Sequence, residues 1–532
     1  MSKLRHMIHR QLFELTAQTG HPAWEWDRTT ADFHHDLLLP VLEACFLEAG
    51  RQDEHLVIDR LEIDLGVFAG RESFSKEAGG RLRERLVPEL RAKRQEAAAR
   101  GSIIPSSDNQ PDPANGYAVR NTTSRQEDPA TGSGAKKKRR EIPAALMDTA
   151  EASLAAYLFF LAEGRLPWWF EHHGEDCFGK DFQAGLTTAD LQRILKIVEE
   201  RLVQAGKDEI MEWMGRAAGI RCVMSLDDEL LIRMAVAKGW NEVALRREWE
   251  MLQSPAQQFP AFFPAFRQRY WMLRLHSLFA GEPAYWEVIF PPKATPVHLL
   301  ALVHGEAQKS GDAILAGYLA SKLETLPHHE ETTSSQKENT VPAAVNISGK
   351  RKDRVHSGDN KQLTAEEDGL YVESAGLVLL HPFLSELFIS AGLRKNGEWA
   401  PLGQQTAVRL LGYLSDGDEN LPEYRLIFQK ILAGLLPEEP LEAIAPPAEE
   451  LLASCNELLD AVLGHWSALK GTSRDGLREG FLQRPAMLRI ADNGMQLEME
   501  KRAQDVLIGR LPWSCSLVRM SWMEQLIAVN WI

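Results

Sequence analysis

Two stretches of this chain are too polar to belong to a folded core, and they decide how the rest can be organised. Residues 99–141 are rich in Ser, Pro, Asn, Gly and Thr and include the basic run Lys136–Arg140. Residues 327–368 are similarly polar and include a second basic run, Lys350–Arg354. Neither stretch holds enough apolar surface to offset the entropy of ordering it. We therefore predict two disordered linkers that separate three folded units, at residues 1–98, 142–326 and 369–532.

The first unit combines a helical pattern with a strand pattern. Apolar and polar residues alternate from Arg60 to Gly66, which predicts a half-buried strand. Apolar residues recur at helical spacing between Phe33 and Phe46, and Pro40 is expected to kink or divide that helix. The charged segment Arg81–Ala99 is predicted to be an amphipathic helix. This unit is therefore predicted to be α+β.

The other two units are predicted to be mainly helical, and the third also carries a hairpin. Asn493–Gly494, between the apolar segments Met487–Ile490 and Met495–Met499, is the favoured pair for a two-residue hairpin turn. Thr472 and Asp475 have the spacing of an N-cap pair. The fold class predicted for the whole chain is α+β and predominantly helical: multidomain, with small N-terminal and C-terminal sheets and disordered linkers. The helices are predicted at 144–163, 189–204, 227–237, 240–253, 264–279, 298–323, 406–413, 423–435, 449–469 and 473–483.

One pentapeptide, Gly-Arg-Leu-Pro-Trp, occurs twice, at Gly164–Trp168 and at Gly509–Trp513. A glycine just past a helix end can adopt the left-handed cap, and a proline soon afterwards prevents the helix from resuming. The tryptophan then offers a large apolar face and one indole donor. We predict the same cap and anchor at both copies, as packing corners without chemistry.

The net charge and the cysteine content bear on which partners and which cellular compartment to expect. The net charge of −15 opposes unspecific attachment to nucleic acid or acidic membranes. Five scattered cysteines without a CxxC pair are typical of reduced thiols in a cytosolic protein. No apolar run approaches the roughly 20 residues that a membrane span needs, and no secretory signal is recognisable at the start. The chain is therefore expected in the cytoplasm, without a nucleic acid partner.

The motifs that resemble a phosphate-binding loop or a zinc site lack the neighbouring residues that such sites require. Gly174–Asp181 matches GxxxxGK, but it ends in Asp where a phosphate loop needs Ser or Thr, and no apolar strand precedes it. His172, His173 and Cys177 lack a second ligand pair at zinc-site spacing. A hydrolase that uses His465 with Asp475 and Glu479 is the enzymatic alternative. We predict no enzyme, no cofactor and no metal.

An ordered set of motifs in the third unit carries a family resemblance. It comprises Glu373–Leu384, Gln404–Leu411, Pro422–Leu426 with Lys430–Leu432, His465–Lys470, Thr472–Glu479 with Phe481–Arg484, Asp505–Trp513 and Trp522–Met523. Gly164–Trp169 in the second unit and Ile58–Gly66 in the first extend it. Together these segments resemble the tape measure proteins of contractile injection systems, which are phage-tail-like particles assembled by bacteria. Ser374 and Leu435–Leu436 depart from the family pattern.

This resemblance implies a structural role in assembly, in which the protein sets the length of the inner tube and sheath from the baseplate. The alternative is a scaffold or chaperone for the baseplate or for tube initiation that does not measure. Either role implies tube, baseplate or sheath proteins as partners and no small-molecule substrate, with assembly in the cytoplasm and a final place inside the tube. The motif residues, all with structural roles, are Arg60, Gly66, Gly164, Pro167, Trp168, Trp169, Gly376, His381, Pro382, Glu423, His465, Trp466, Arg478, Arg484, Pro512, Trp513 and Trp522.

Overall fold

The structure is a computed structural model, and it describes six main ranges of the chain. These are residues 38–100, 145–170, 176–203, 209–256, 263–280 and 369–531, with short gaps at 52–53, 59, 70, 445 and 492–493, and the single positions 8, 11, 304 and 320. Almost all of both predicted linkers, the predicted helix at 298–323 and the histidine pairs at 34–35 and 172–173 lie outside the described residues.

The chain divides into two compact units. The first comprises Met1–Tyr157, Pro167–Glu175 and Glu366–Asp368, and the second comprises Leu158–Leu166, Asp176–Ala365 and Gly369–Ile532. The described residues of the predicted C-terminal unit and most of those of the predicted middle unit belong to the second compact unit, whereas residues 145–157 and 167–170 of the predicted middle unit belong to the first. The domain boundaries predicted from composition stay a prediction.

Among the described residues, the first unit contains two complete helices, the first turns of a third and a two-stranded antiparallel sheet. Its core forms where Leu42 and Cys45 of the shorter helix meet Phe74, Leu82 and Leu86 of the longer one. The strands pair from Glu54 opposite Asp148 to Val57 opposite Ala145. In chain order the elements are α1 (Leu39–Ala49), β1 (Glu54–Val57), α2 (Arg71–Arg100) and β2 (Ala145–Asp148), after which α3 (Thr149–Glu163) leads into the second unit.

One sequence prediction for the first unit needs correction. Pro40 lies in the first turn of α1, where its missing N–H costs nothing; the predicted kink or division there stays a prediction, because residues 33–37 lie outside the described residues. The strand predicted from Arg60 to Gly66 is wrong, because the described residues there form no ladder. Its apolar side chains pack on the core as the alternation requires. Two of its backbone carbonyls accept instead from arginine side chains of α2: Leu65 O from Arg81 Nη1 at 3.4 Å, and Asp64 O from Arg85 Nη1.

In the helical part of the second unit, the helices predicted at 189–204, 227–237, 240–253 and 264–279 are confirmed with small shifts of their ends, whereas the helices Lys180–Gly185 and Glu209–Ser225 were not predicted. Thr187 and Asp190 exchange hydrogen bonds at the start of the helix Thr188–Val203. The Asp227 side chain caps the helix Asp228–Ala237 by accepting from Leu230 N at 2.8 Å. After α3 these helices are α4 (Lys180–Gly185), α5 (Thr188–Val203), α6 (Glu209–Ser225), α7 (Asp228–Ala237), α8 (Glu242–Ala256) and α9 (Phe263–Ala280).

The remainder of the second unit adds short helices and a five-stranded sheet. The helices are α10 (His381–Ser390), α11 (Gly403–Asp416), α12 (Ile427–Leu432), α13 (Glu449–His465) and α14 (Arg474–Leu477), with 3-10 turns at Ala375–Leu380, Glu423–Arg425, Ser467–Leu469 and Ala503–Arg510 and a π turn at Arg478–Leu482. The strands are β3 (Leu370–Val372), β4 (Arg394–Lys395), β5 (Glu398–Trp399), β6 (Ala486–Ala491), β7 (Gly494–Met499), β8 (Leu517–Val518) and β9 (Ile527–Asn530).

The five-stranded sheet has the order β3-β6-β7-β9-β8. The predicted hairpin is confirmed as β6 and β7, which pair from Ala486 opposite Met499 to Ala491 opposite Gly494. β9 joins β7 in parallel, and β3 and β8 form the edges. The predicted N-cap at Thr472 is displaced by one residue, because Ser473 Oγ accepts from Gly476 N at 3.0 Å. The predominantly helical α+β class is confirmed.

Candidate functional site

Gly164 ends α3 in the left-handed conformation, with φ of 76°. Its N–H donates to Phe160 O at 2.8 Å. A Cβ at this position would lie 2.4 Å from Nη2 of Arg221. The first copy of the pentapeptide therefore uses glycine for two reasons: the backbone turns left-handed there, and a guanidinium occupies the space that a side chain would need.

Arg221, on α6, is fully buried and binds four acceptors. Nε donates to Glu423 Oε1 at 2.9 Å, and Nη1 donates to the carbonyls of Leu161 at 3.1 Å and Ala162 at 3.4 Å. Nη2 donates to the carbonyl of Glu438. The side chain thus binds the C-terminal end of α3 on one side and residues after 420 on the other. A buried arginine is tolerated only when it is paired and its donors are occupied.

Glu423 is the common acceptor of a three-membered charged cluster. Besides Arg221, its Oε1 accepts from Lys430 Nζ at 2.7 Å, and its Oε2 accepts from Leu441 N at 3.2 Å. Burial alone would raise the pKa of Glu423, but Lys430 and Arg221 hold it below its ordinary value. Burial and the charge of Arg221 lower the pKa of Lys430, and Glu423 opposes this. The carboxylate is therefore held in its charged form between two cations.

Tyr424 extends the cluster into an aromatic contact. Its hydroxyl accepts from Cys177 N at 3.0 Å and donates to Asp176 Oδ1 at 3.4 Å. Its ring packs edge to face against Phe160 and Phe178, with centroid distances of 5.7 and 5.5 Å. The Pro422–Leu426 motif thus contacts the helical part of the unit through both a charge and a ring.

Two further motif arginines are buried and bind backbone carbonyls. Arg478 donates to Leu414 O at 3.2 Å and Tyr413 O at 3.3 Å. It caps the C-terminal end of α11, where a cation interacts favourably with the helix dipole. Arg484 binds both carboxylate oxygens of Asp505, at 2.8 and 2.9 Å. Burial would raise the pKa of Asp505, but the hydrogen bonds from Arg484 and from Arg502 N lower it.

Gly376 is required for a close backbone approach rather than for a special turn. Inside the 3-10 turn Ala375–Leu380, a Cβ on Gly376 would lie 1.8 Å from the carbonyl oxygen of Phe481. His381 and Pro382 follow at the start of α10. Nδ1 of His381 lies 2.9 Å from Val378 O, and burial lowers the pKa of this histidine. The family-like run from Glu373 to Leu384 therefore packs directly against the Phe481–Arg484 segment.

The C-terminal tryptophans anchor loops by their indole N–H. Trp513 Nε1 donates to Leu379 O at 2.9 Å, and Trp522 Nε1 donates to Leu432 O at 2.8 Å. The prediction that both pentapeptide copies share a left-handed cap is wrong for the second copy. Gly509 lies within the 3-10 turn Ala503–Arg510, outside the left-handed region, and a Cβ there would meet nothing within 4 Å. Pro512 is exposed after that turn.

The remaining motif residues lie at three places. Trp466 is fully buried at the end of α13, and its Nε1 donates to Leu507 O at 3.3 Å. His465 beside it is exposed, and its ring stacks on that of Phe383 with a centroid distance of 6.3 Å. In the first unit, Pro167 is buried, Trp168 is 38% exposed and Trp169 packs on the Met147 cluster. Arg60 pairs with Glu62 on the surface, and Gly66 is left-handed with φ of 75°.

A family model described as contractile injection system tape measure protein matches residues 5–531. The chain belongs to this family. No curated protein and no solved structure matches it. The family resemblance that the sequence motifs carry is therefore confirmed, and the match also spans both predicted linkers.

The side chains considered for hydrolase chemistry in this tape measure protein have structural partners or face solvent. Asp475 is 77% exposed and pairs with Arg478 at 2.9 Å, and Glu479 is exposed on the π turn. No group of three or more His, Cys, Asp or Glu in the described part of the chain could hold a metal ion. None of the helices that the structure describes is long and apolar enough to cross a membrane.

Sequence reasoning missed three arginines that are buried among the described residues, Arg221, Arg274 and Arg394. Arg221 stands between Ile220 and Cys222 in an apolar run, and a charge on an otherwise buried helix face was the available signal. Arg394 lies between the rings of Trp399 and Trp522, with its Cζ 5.1 and 4.5 Å from their centroids. It follows Leu393 and precedes Lys395 and Asn396, so no apolar run around it indicated burial.

Proposed function

We propose that this protein acts as a folded scaffold in the assembly of a contractile injection particle. Its contacts would be with tube, baseplate or sheath proteins. The family match supports a role in such a particle, and the proposal concerns how the chain performs it. The folded state, rather than the contour length of an extended chain, supplies the binding surfaces.

The buried cluster of Arg221, Glu423 and Lys430 carries this proposal. The side chains of Arg221 and Lys430 are 0% exposed and that of Glu423 is 9% exposed. Arg221 and Glu423 are 202 residues apart in sequence. Such a cluster is stabilising only in the folded arrangement, since charges are costly to bury without their partners. A chain whose working form is extended would have no use for it.

The second candidate function is length measurement by contour, and the description of the matching family favours it. As one continuous helix the chain would span about 800 Å at about 1.5 Å per residue. The described chain instead forms separate helices of at most 30 residues, and its sheet and its buried charged groups would be lost on extension. We therefore place the measuring role second.

Variation of the segment 101–140 separates the two functions. Three variants are compared: deletion of this segment, its duplication, and a shuffled segment of the same length and composition as the control. Particles are imaged and tube lengths measured. A scaffold predicts unchanged tube length in every variant that assembles. Tube lengths that shorten on deletion and grow on duplication, in proportion to the residues changed, would overturn the proposal.

We also propose that the protein has no catalytic step. His465 stacks on Phe383 at the exposed end of α13, and its candidate partner Asp475 is bound by Arg478. Purified protein is expected to hydrolyse neither ester nor phosphoester substrates above the background of a His465→Ala variant. Turnover that disappears in that variant would contradict this.

A further inference from the structure

The large apolar core cluster of the second unit lies within its C-terminal part. The large core cluster draws its buried residues from Val372 to Trp531 alone, and its partly buried neighbours lie between Leu370 and Val529. The helices between Lys180 and Ala280 bury their own apolar residues, such as Leu191, Ile194 and Leu231. The chain between 281 and 368 joins these two parts covalently.

Several described contacts between the two parts are polar. Arg221 binds Glu423 and the Glu438 carbonyl, and Gln268 Oε1 accepts from Ala443 N at 2.5 Å. The Tyr424 ring, against Phe160 and Phe178, is the described aromatic contribution. Interfaces of this composition resemble those between domains that move relative to each other.

The charge balance of the cluster also favours release. When the two parts are in contact, two cations share one carboxylate, so the buried cluster carries a net charge of +1. Glu423 and Lys430 both belong to the C-terminal part and lie 2.7 Å apart. If Arg221 withdraws, the pair that remains is neutral and neither member loses its partner. Release therefore leaves no uncompensated charge in the C-terminal core.

We propose that Arg221 and Glu423 form a releasable latch between the helical part, 158–166 with 176–280, and the C-terminal part, 369–531. Release lets the protein lengthen during particle assembly by separating two folded parts, without unfolding either. Gly164 completes the latch, because its missing side chain leaves room for the Arg221 guanidinium. This inference rests on the proposed scaffold function and names the movement that such a scaffold would make.

The Arg221→Met variant of the full chain tests the latch. Methionine keeps apolar volume but removes the contacts across the latch, to Glu423 and to the Glu438 carbonyl, so the constant for opening is expected to rise about 100-fold or more. Small-angle scattering should show a larger radius of gyration, while hydrogen exchange within β6 and β7 stays at the wild-type rate. Arg221→Lys keeps the charge, and its radius of gyration is expected to lie between those of the wild type and Arg221→Met.

Arg246→Met is the matched control. Arg246 belongs to the same helical part but pairs with Glu229 and Glu242 at the surface, so its loss should leave the scattering unchanged. An Arg221→Met protein as compact as the wild type would overturn the latch. So would an expanded protein in which β6 and β7 also lose protection, since that means unfolding rather than release.

Native-state hydrogen exchange of the wild type tests the latch even if the variant does not fold. The amide of Cys177, which donates to Tyr424, should exchange by an opening that leaves the amides of β7 protected. If the Cys177 amide and the β7 amides exchange only through the same opening reaction, the latch is overturned. These measurements use purified protein, so their failure leaves the scaffold proposal standing, which tube lengths test separately.

Discussion

Gly164→Ala is expected to destabilise the second unit strongly. The left-handed backbone costs a non-glycine residue about 1–2 kcal/mol. The new Cβ, 2.4 Å from Arg221 Nη2, also forces the guanidinium to move. Loss of one buried hydrogen bond in this way costs a further ~1–3 kcal/mol. Together these terms lower the free energy of unfolding by about 2–5 kcal/mol.

The second copy of the pentapeptide supplies the matched control. Gly509 has the same four following residues, but it is not left-handed and its Cβ position is open. Gly509→Ala is therefore expected to leave the free energy of unfolding within about 0.5 kcal/mol of the wild type, as exposed substitutions usually do. Both glycines belong to the second compact unit, so both variants report on the same structure.

Urea denaturation followed by far-UV circular dichroism provides the measurement, with free energies from linear extrapolation. A double-mutant cycle with Arg221→Met separates the two terms. In that background the clash is gone, and Gly164→Ala should cost only the backbone strain of about 1–2 kcal/mol. Equal costs for the two glycines, or a Gly164→Ala variant as stable as the wild type, would refute the reasoning.

Three more perturbations test other contacts of the C-terminal part. Gly376→Ala places a Cβ 1.8 Å from the carbonyl oxygen of Phe481, so it should lower the free energy of unfolding in urea by about 4 kcal/mol or more. Its control is Gly480→Ala, where the Cβ position is open and the loss should be under about 1 kcal/mol. Asp505 has a lowered pKa, so its stabilising contribution is present above about pH 4, the unfolded value, and lost as the pH falls further. Asp505→Asn should therefore flatten the acid limb of the stability curve and, by leaving Arg484 buried without its anion, cost about 3 kcal/mol or more at neutral pH; an unchanged acid limb contradicts this. Trp522→Phe removes the indole donor to the Leu432 carbonyl and should lower the free energy of unfolding by about 1–3 kcal/mol, and a loss below about 0.5 kcal/mol would mean that the hydrogen bond contributes little.

Local patterns predicted the elements whose causes are local. The hairpin of β6 and β7 follows from an Asn-Gly pair between apolar segments, and the helix after Thr187 follows from a capping pair and helical spacing. The family also followed from the sequence, because ordered motifs persist through the chain. The alternation at 60–66 correctly indicated which side chains face the core.

The sequence by itself determined the helical class, the hairpin and the motif residues, because periodicity, capping and turn chemistry act over a few neighbours. It could not show that Arg60–Gly66 lacks a partner strand, since a ladder depends on residues distant in sequence. Nor could it separate Gly164 from Gly509, which share the same pentapeptide. Only the tertiary structure places Arg221 beside Gly164 and Glu423 beside Arg221, because contacts across 202 residues depend on how complete elements pack.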